Sequence, residues 1–199
     1  MKENIVKDGS VEGGALEDSG RETEQKRNRA KERQDICMAR NKEVKTNAMR
    51  ILEKEKIPYT QYTYECEEFV DALQIADMLS LPYEKMYKTL VTEGNTKDYY
   101  VFVIPIAEEL DLKKAAKAVG VKSVNMIHVK DINKVTGYIR GGCTAVGMKK
   151  RYETRIDESA KQLETMIVSG GRIGSQIALK PEDLCLAAGA AFADITAAH

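Results

Sequence analysis

The run Met86-Tyr87-Lys88-Thr89-Leu90-Val91-Thr92-Glu93-Gly94-Asn95-Thr96-Lys97-Asp98-Tyr99-Tyr100-Val101-Phe102-Val103-Ile104-Pro105 decides how this chain folds. β-Branched and aromatic residues crowd residues 86–92 and 99–105, and Gly94-Asn95 between them is a turn signal. The run therefore predicts a β-hairpin. In its first strand Tyr87, Thr89 and Val91 fall on one face and Lys88, Leu90 and Thr92 on the other. A lysine just inside such a strand can be drawn into a pocket. Its pKa then falls through desolvation, or its charge is aimed at an anionic ligand. The competing reading is a surface lysine whose stem covers apolar neighbours.

Working outward, Thr46 is placed to cap a helix with Ala48, Met49, Ile51 and Leu52 on one face, and Pro58 ends it. Residues 59–64 alternate like a strand, and residues 71–79 form a short amphipathic helix. After the hairpin come a helix over 111–119, with Asp111 suited to its first turn, a short strand over 124–127 and a helix over 128–135. Strands are predicted at 155–157, 165–169, 173–179 and 191–195, and a helix at 181–188 is bounded by Pro181 and Gly189. Short strands mixed with short helices, without regular βαβ alternation, indicate an α+β fold: a mixed, barrel-like β-sheet decorated by short helices.

The chain has 199 residues, 43% of them hydrophobic, with 31 basic and 31 acidic side chains that cancel. Zero net charge disfavours a protein that grips nucleic acid along its backbone through a basic excess. No apolar run approaches the ~18 residues of a transmembrane helix, and no apolar signal-peptide core follows Met1. Cys37, Cys66, Cys143 and Cys185 are widely spaced, which predicts reduced thiols in a cytoplasmic protein rather than a zinc site. The averages conceal a division. Residues 1–44 form a charged extension without aromatic residues, predicted to be partly disordered and partly helical. Its Lys26-Arg27-Asn28-Arg29 run reads as an RNA contact or, more simply, as a solvated charged face. Residues 45–199 form the compact domain.

Two more segments carry groups a bare fold does not require. Thr136-Gly137-Tyr138-Ile139-Arg140-Gly141-Gly142-Cys143-Thr144-Ala145-Val146-Gly147 is rich in glycine, yet matches neither a Walker loop nor a dinucleotide fingerprint. Val168-Ser169-Gly170-Gly171 puts a hydroxyl and backbone amides at a strand end, without the Gly-x-Ser-x-Gly of a hydrolase elbow. Bulge and hairpin glycines are the plainer readings of both. His128 and His199 lack an evident acidic partner, which disfavours a histidine triad.

In this order, these segments resemble the YbaK/EbsC family of bacterial trans-editing deacylases that hydrolyse Cys-tRNA(Pro). The resemblance runs from about residue 45 to residue 196. It includes Tyr62-Thr63-Tyr64-Glu65, Met86-Tyr87-Lys88-Thr89-Leu90, Leu110-Asp111-Leu112-Lys113-Lys114, Thr136 to Gly142, Gly147-Met148-Lys149-Lys150 and Ile167-Val168-Ser169-Gly170-Gly171. It implies that Lys88 is the essential lysine and that Tyr64, Thr89, Gly141, Gly142, Ser169, Gly170, Gly171 and Gln176 contact substrate. No metal or cofactor is implied. The implied partner is the 3′ end of an aminoacyl-tRNA, with prolyl-tRNA synthetase as a further partner the family can use.

Two departures stand out. The family loop commonly has proline where this chain has Ala145, and some members have an acid where it has Gln176. The resemblance implies that the substrate's own thiol attacks its ester, so positioning supplies much of the rate and Cys143 is not needed as nucleophile. A member that binds aminoacyl-tRNA or a synthetase without hydrolysis is the alternative. Lys113, Lys114, Lys149 and Lys150 are candidate phosphate contacts.

Overall fold

The computed structural model describes residues 45–66 and 70–197. The charged extension, with its basic run, and His199 lie outside these residues. The first helix, α1 (Asn47–Lys54), starts at Thr46, whose hydroxyl accepts the Met49 N–H at 3.3 Å. Ala48, Met49 and Leu52 are buried along its inner face. Strand β1 (Thr60–Thr63) leads to α2 (Ala72–Leu79), which Asp71 caps by accepting the Leu73 N–H at 3.0 Å.

Next comes the hairpin of β2 (Tyr87–Gly94) and β3 (Tyr99–Pro105), paired as Lys88↔Ile104, Leu90↔Phe102 and Thr92↔Tyr100. Helix α3 (Leu112–Ala118) is capped by Asp111, which takes both the Lys113 and the Lys114 N–H. Strand β4 (Val124–Met126) and helix α4 (Val129–Thr136) precede the glycine-rich loop. The chain finishes with β5 (Glu153–Asp157), β6 (Met166–Ser169), β7 (Ser175–Leu179), α5 (Pro181–Ala188) and β8 (Ala191–Ala193).

The strands form two sheets. One has the order β4-β2-β3-β5-β8 and mixes antiparallel with parallel pairs; the other is antiparallel, β1-β7-β6. A single parallel bridge, Met86↔Ile167, joins them. The α+β class and mixed pairing agree with the sequence; the barrel is left unclosed.

β3 lies at the middle of the larger sheet and is covered on both faces. Tyr100, Phe102 and Ile104 pack on Ala115, Ala116 and Val119 of the α3 region. Val103 faces the main core of α1, β6, β7 and α5, and Val101 faces Val135 of α4. Double coverage explains why residues 99–104 read as an unbroken apolar run rather than an alternation.

Phe102 is fully buried between strand and helix. Its truncation to alanine should cost about 3–5 kcal/mol, measured as a shift in the urea-unfolding free energy. A loss below about 1 kcal/mol would contradict this packing.

Candidate active site

The bridge between the sheets fixes the site. Two residues beyond Met86 and Ile167 along their strands stand Lys88 and Ser169, so these side chains leave the seam on one face. Ser169 also pairs directly with Gln176 of β7, which brings the amide onto the same face. All three line a cavity of about 370 Å³. Its other walls are Val70 and Asp71 before α2, Ala72 and Ile75 of α2, Met86 and the remainder of β2 as far as Val91, Ile106, and the apolar group Met126, Ile127, Val129 and Ile132. Arg140, Gly141 and Cys143 of the glycine-rich loop complete the boundary.

Lys88 is half-buried, and its Nζ donates to the Ile106 carbonyl at 2.9 Å. Burial pulls its pKa below the ordinary lysine value. The charges of Asp71, Glu109 and Glu108 oppose that fall without cancelling it. The ammonium is therefore desolvated and aimed by one carbonyl, with further donor capacity left. The surface-lysine reading does not describe it.

Ser169 Oγ accepts the Gly171 N–H at 3.4 Å, leaving its own proton available. Thr89 also belongs to the cavity wall, and its buried hydroxyl has no hydrogen-bond partner among the described residues. Such a group costs free energy until something satisfies it.

The glycines have two different tasks. Gly141, with φ +83°, reaches the cavity. Gly142 does not: a Cβ there would lie 2.8 Å from Arg172 Cα, so its missing side chain lets the two glycine-rich segments touch backbone to backbone. Gly170 and Gly171 lie in the turn between β6 and β7. The Gly170 N–H donates to the Ser175 carbonyl at 2.9 Å, and the Thr46 hydroxyl donates to the Gly170 carbonyl. Tyr138 braces the same region, its hydroxyl donating to the Val146 carbonyl at 2.7 Å; burial pushes this phenol up to about 12.

Other expected residues fall elsewhere. The buried Tyr64 packs in an apolar cluster with Ile167 and with the wall residues Ile75, Met86 and Ile106, and does not itself line the cavity. Cys143 does reach the wall, but burial pushes its thiol up to about 12, which suppresses the thiolate a nucleophile requires. Lys114 is committed to Asp194 and the Thr196 carbonyl, and Lys149 to the Asn133 carbonyl, so these two ammonium groups already have internal partners. Lys113 and Lys150 are exposed. Sequence reasoning missed Asp71 and Arg140 as wall residues. The helix-start signal at Asp71 was legible, but not that this helix end closes a cavity.

Residues 66–185 match the aminoacyl-tRNA editing domain. The chain is 47% identical over 161 residues to EbsC of Enterococcus faecalis (strain ATCC 700802 / V583), a protein named for Cys-tRNA(Pro)/Cys-tRNA(Cys) deacylation. That alignment spans 80% of this chain and 98% of EbsC. This chain belongs to the aminoacyl-tRNA editing domain family.

Solved structures of similar fold include a protein described as a trans-editing enzyme for prolyl-tRNA synthetase, with TM-score 0.65 and 21% identity. The match covers 76% of this chain and 96% of that one. Hypothetical protein APE2540 matches with TM-score 0.69 and 20% identity, over 76% of this chain and all of its own. In this editing domain Ala145 is half-buried between two apolar clusters, away from the cavity wall, whereas Gln176 is on the wall.

Two measurements test this geometry. Lys88, followed by the NMR signal of its labelled Cε, should titrate below the ~10.4 of an unperturbed lysine. Asp71→Asn should lower that midpoint further, because it removes a charge that favours the ammonium. A midpoint at the ordinary value would contradict the desolvation. Separately, Gly142→Ala should destabilise the fold by roughly 1–3 kcal/mol in urea titrations, because Arg172 backbone must move; unchanged stability would contradict the contact.

Proposed function

We propose that this protein is a trans-editing hydrolase that deacylates mischarged Cys-tRNA(Pro), and also Cys-tRNA(Cys), in the cytoplasm. The observation that carries the reading is the convergence of the desolvated Lys88 ammonium, Ser169 and Gln176 on one cavity in a chain so similar to EbsC. The cavity suits the aminoacylated tip of a tRNA rather than its backbone. Zero net charge and the internal pairing of Lys114 and Lys149 agree with few phosphate contacts.

In this mechanism the cysteinyl ester lies folded against β2. The substrate thiol attacks its own carbonyl carbon; a C–S bond forms and the bond from carbonyl carbon to ribose oxygen breaks. The thiol proton ends on that ribose oxygen, and water later opens the released thiolactone to cysteine. The Lys88 ammonium stabilises the oxyanion of the tetrahedral intermediate, where a fixed charge in a desolvated site acts strongly. Ser169, Thr89 and the Gln176 amide hydrogen-bond the ester and ribose. Gly141 permits close approach of the loop backbone, while Gly142, Gly170 and Gly171 hold the loop and the β6–β7 turn in place. Tyr64 supports the wall from behind. Holding thiol and carbonyl together is the main source of rate. Prolyl-tRNA synthetase is the natural partner for this activity, as the enzyme that releases the mischarged tRNA. Residues 1–44 are an extension to the editing domain of residues 45–199.

Lys88→Ala should reduce Cys-tRNA(Pro) deacylation at least a hundredfold, the scale set by loss of one oxyanion-stabilising group, with the urea-unfolding midpoint kept. Deacylation at the parental rate would remove Lys88 from the mechanism. Tight binding of Cys-tRNA(Pro) without ester hydrolysis by the parental protein would support the non-hydrolytic alternative.

A further inference from the structure

An aminoacyl ester carries a group that none of Lys88, Thr89, Ser169 and Gln176 complements as a charge: its α-ammonium. A cation held in a partly desolvated cavity needs an anionic or strongly accepting neighbour. Gln176, also on the wall, offers only a neutral amide. Among the described residues that line the cavity, Asp71 is the one carboxylate. It enters the wall from the start of α2, across from β2, and its charge acts on Lys88 from there.

The geometry of Asp71 leaves it capable of a second task. Its Oδ1 accepts the Leu73 N–H at 3.0 Å and caps the helix, while Oδ2 takes no part in the cap. The cap also fixes the carboxylate's orientation, so little side-chain freedom remains to be lost on binding. We infer that Asp71 is the receptor for the α-ammonium of the substrate's cysteinyl group, and thereby a specificity-determining residue for aminoacyl rather than simple acyl esters. The inference rests on the deacylase reading above. The carboxylate and the Lys88 ammonium then hold the two poles of the substrate: Asp71 the amine, Lys88 the ester oxygen.

The test compares two substrates and three proteins. The substrates are Cys-tRNA(Pro) and the same tRNA carrying a 3-mercaptopropionyl ester, which keeps the thiol and ester but lacks the amine. Asp71→Asn is the informative variant, because asparagine caps a helix about as well as aspartate. It should lower kcat/KM for the cysteinyl ester about tenfold, the scale of one hydrogen bond to a charged group. The mercaptopropionyl ester should change less than about twofold on that scale. Asp71→Ala removes the cap as well, and should repeat the selective loss while also lowering the unfolding midpoint.

A change acting only through Lys88 or through helix stability would affect both esters alike, and equal losses would overturn the inference. Unchanged kinetics on both esters would overturn it too. If the parental protein hydrolyses neither ester, the deacylase reading itself fails and takes the inference with it.

Discussion

The site depends on one backbone contact, the parallel bridge between Met86 and Ile167. The sheets also share a packed core, but this bridge is the backbone contact that sets β2 beside β6, and with them Lys88 beside Ser169. With it, their alignment follows from strand periodicity alone, since each stands two residues past the bridge. The apolar cluster of Tyr64, Ile75, Met86, Ile106, Ile167 and Ala178 packs the seam, and its members Ile75, Met86 and Ile106 form part of the cavity wall. The polar end of the seam opens into the cavity.

A second constraint holds the loop that faces this seam. Gly142 lies against Arg172, Tyr138 holds Val146, and Thr46 holds Gly170. These contacts come from three distant parts of the chain and meet around the β6–β7 turn. In the proposed mechanism rigidity there has a chemical use, because an intramolecular attack is fast only when thiol and carbonyl are kept in line. Gly141 is positioned at the cavity by its neighbours' packing, so the two adjacent glycines have different duties despite their shared identity.

Much of the fold was legible. The hairpin, α1 with its Thr46 cap, α3 with Asp111, and α5 between Pro181 and Gly189 all follow local signals that packing reinforces. Boundaries moved where tertiary structure decides. β7 begins at Ser175 rather than residue 173, since Gly174 has φ +80° and belongs to the turn. β5 extends back to Glu153 because β3 pairs it there. The short 3-10 turns Tyr83–Lys85 and Glu158–Gln162 carry no strong periodic signal and were not foreseen. At the site, Lys88, Thr89, Gly141, Ser169 and Gln176 were singled out and do meet at the cavity. Asp71 was hidden because its local role as a cap fully accounts for it in sequence. Tyr64 went the other way: the family resemblance implied a substrate contact, whereas its ring packs against the wall residues Ile75, Met86 and Ile106.

The central claim is that this editing domain holds a cysteinyl ester so that the substrate's own thiol cleaves it. Single-turnover deacylation of Cys-tRNA(Pro) beside S-methylcysteinyl-tRNA(Pro) tests it most directly, because methylation removes the nucleophile and adds one carbon. The account predicts rapid release of cysteine from the first and an intact ester in the second. Equal hydrolysis of both, or hydrolysis of neither, would contradict it.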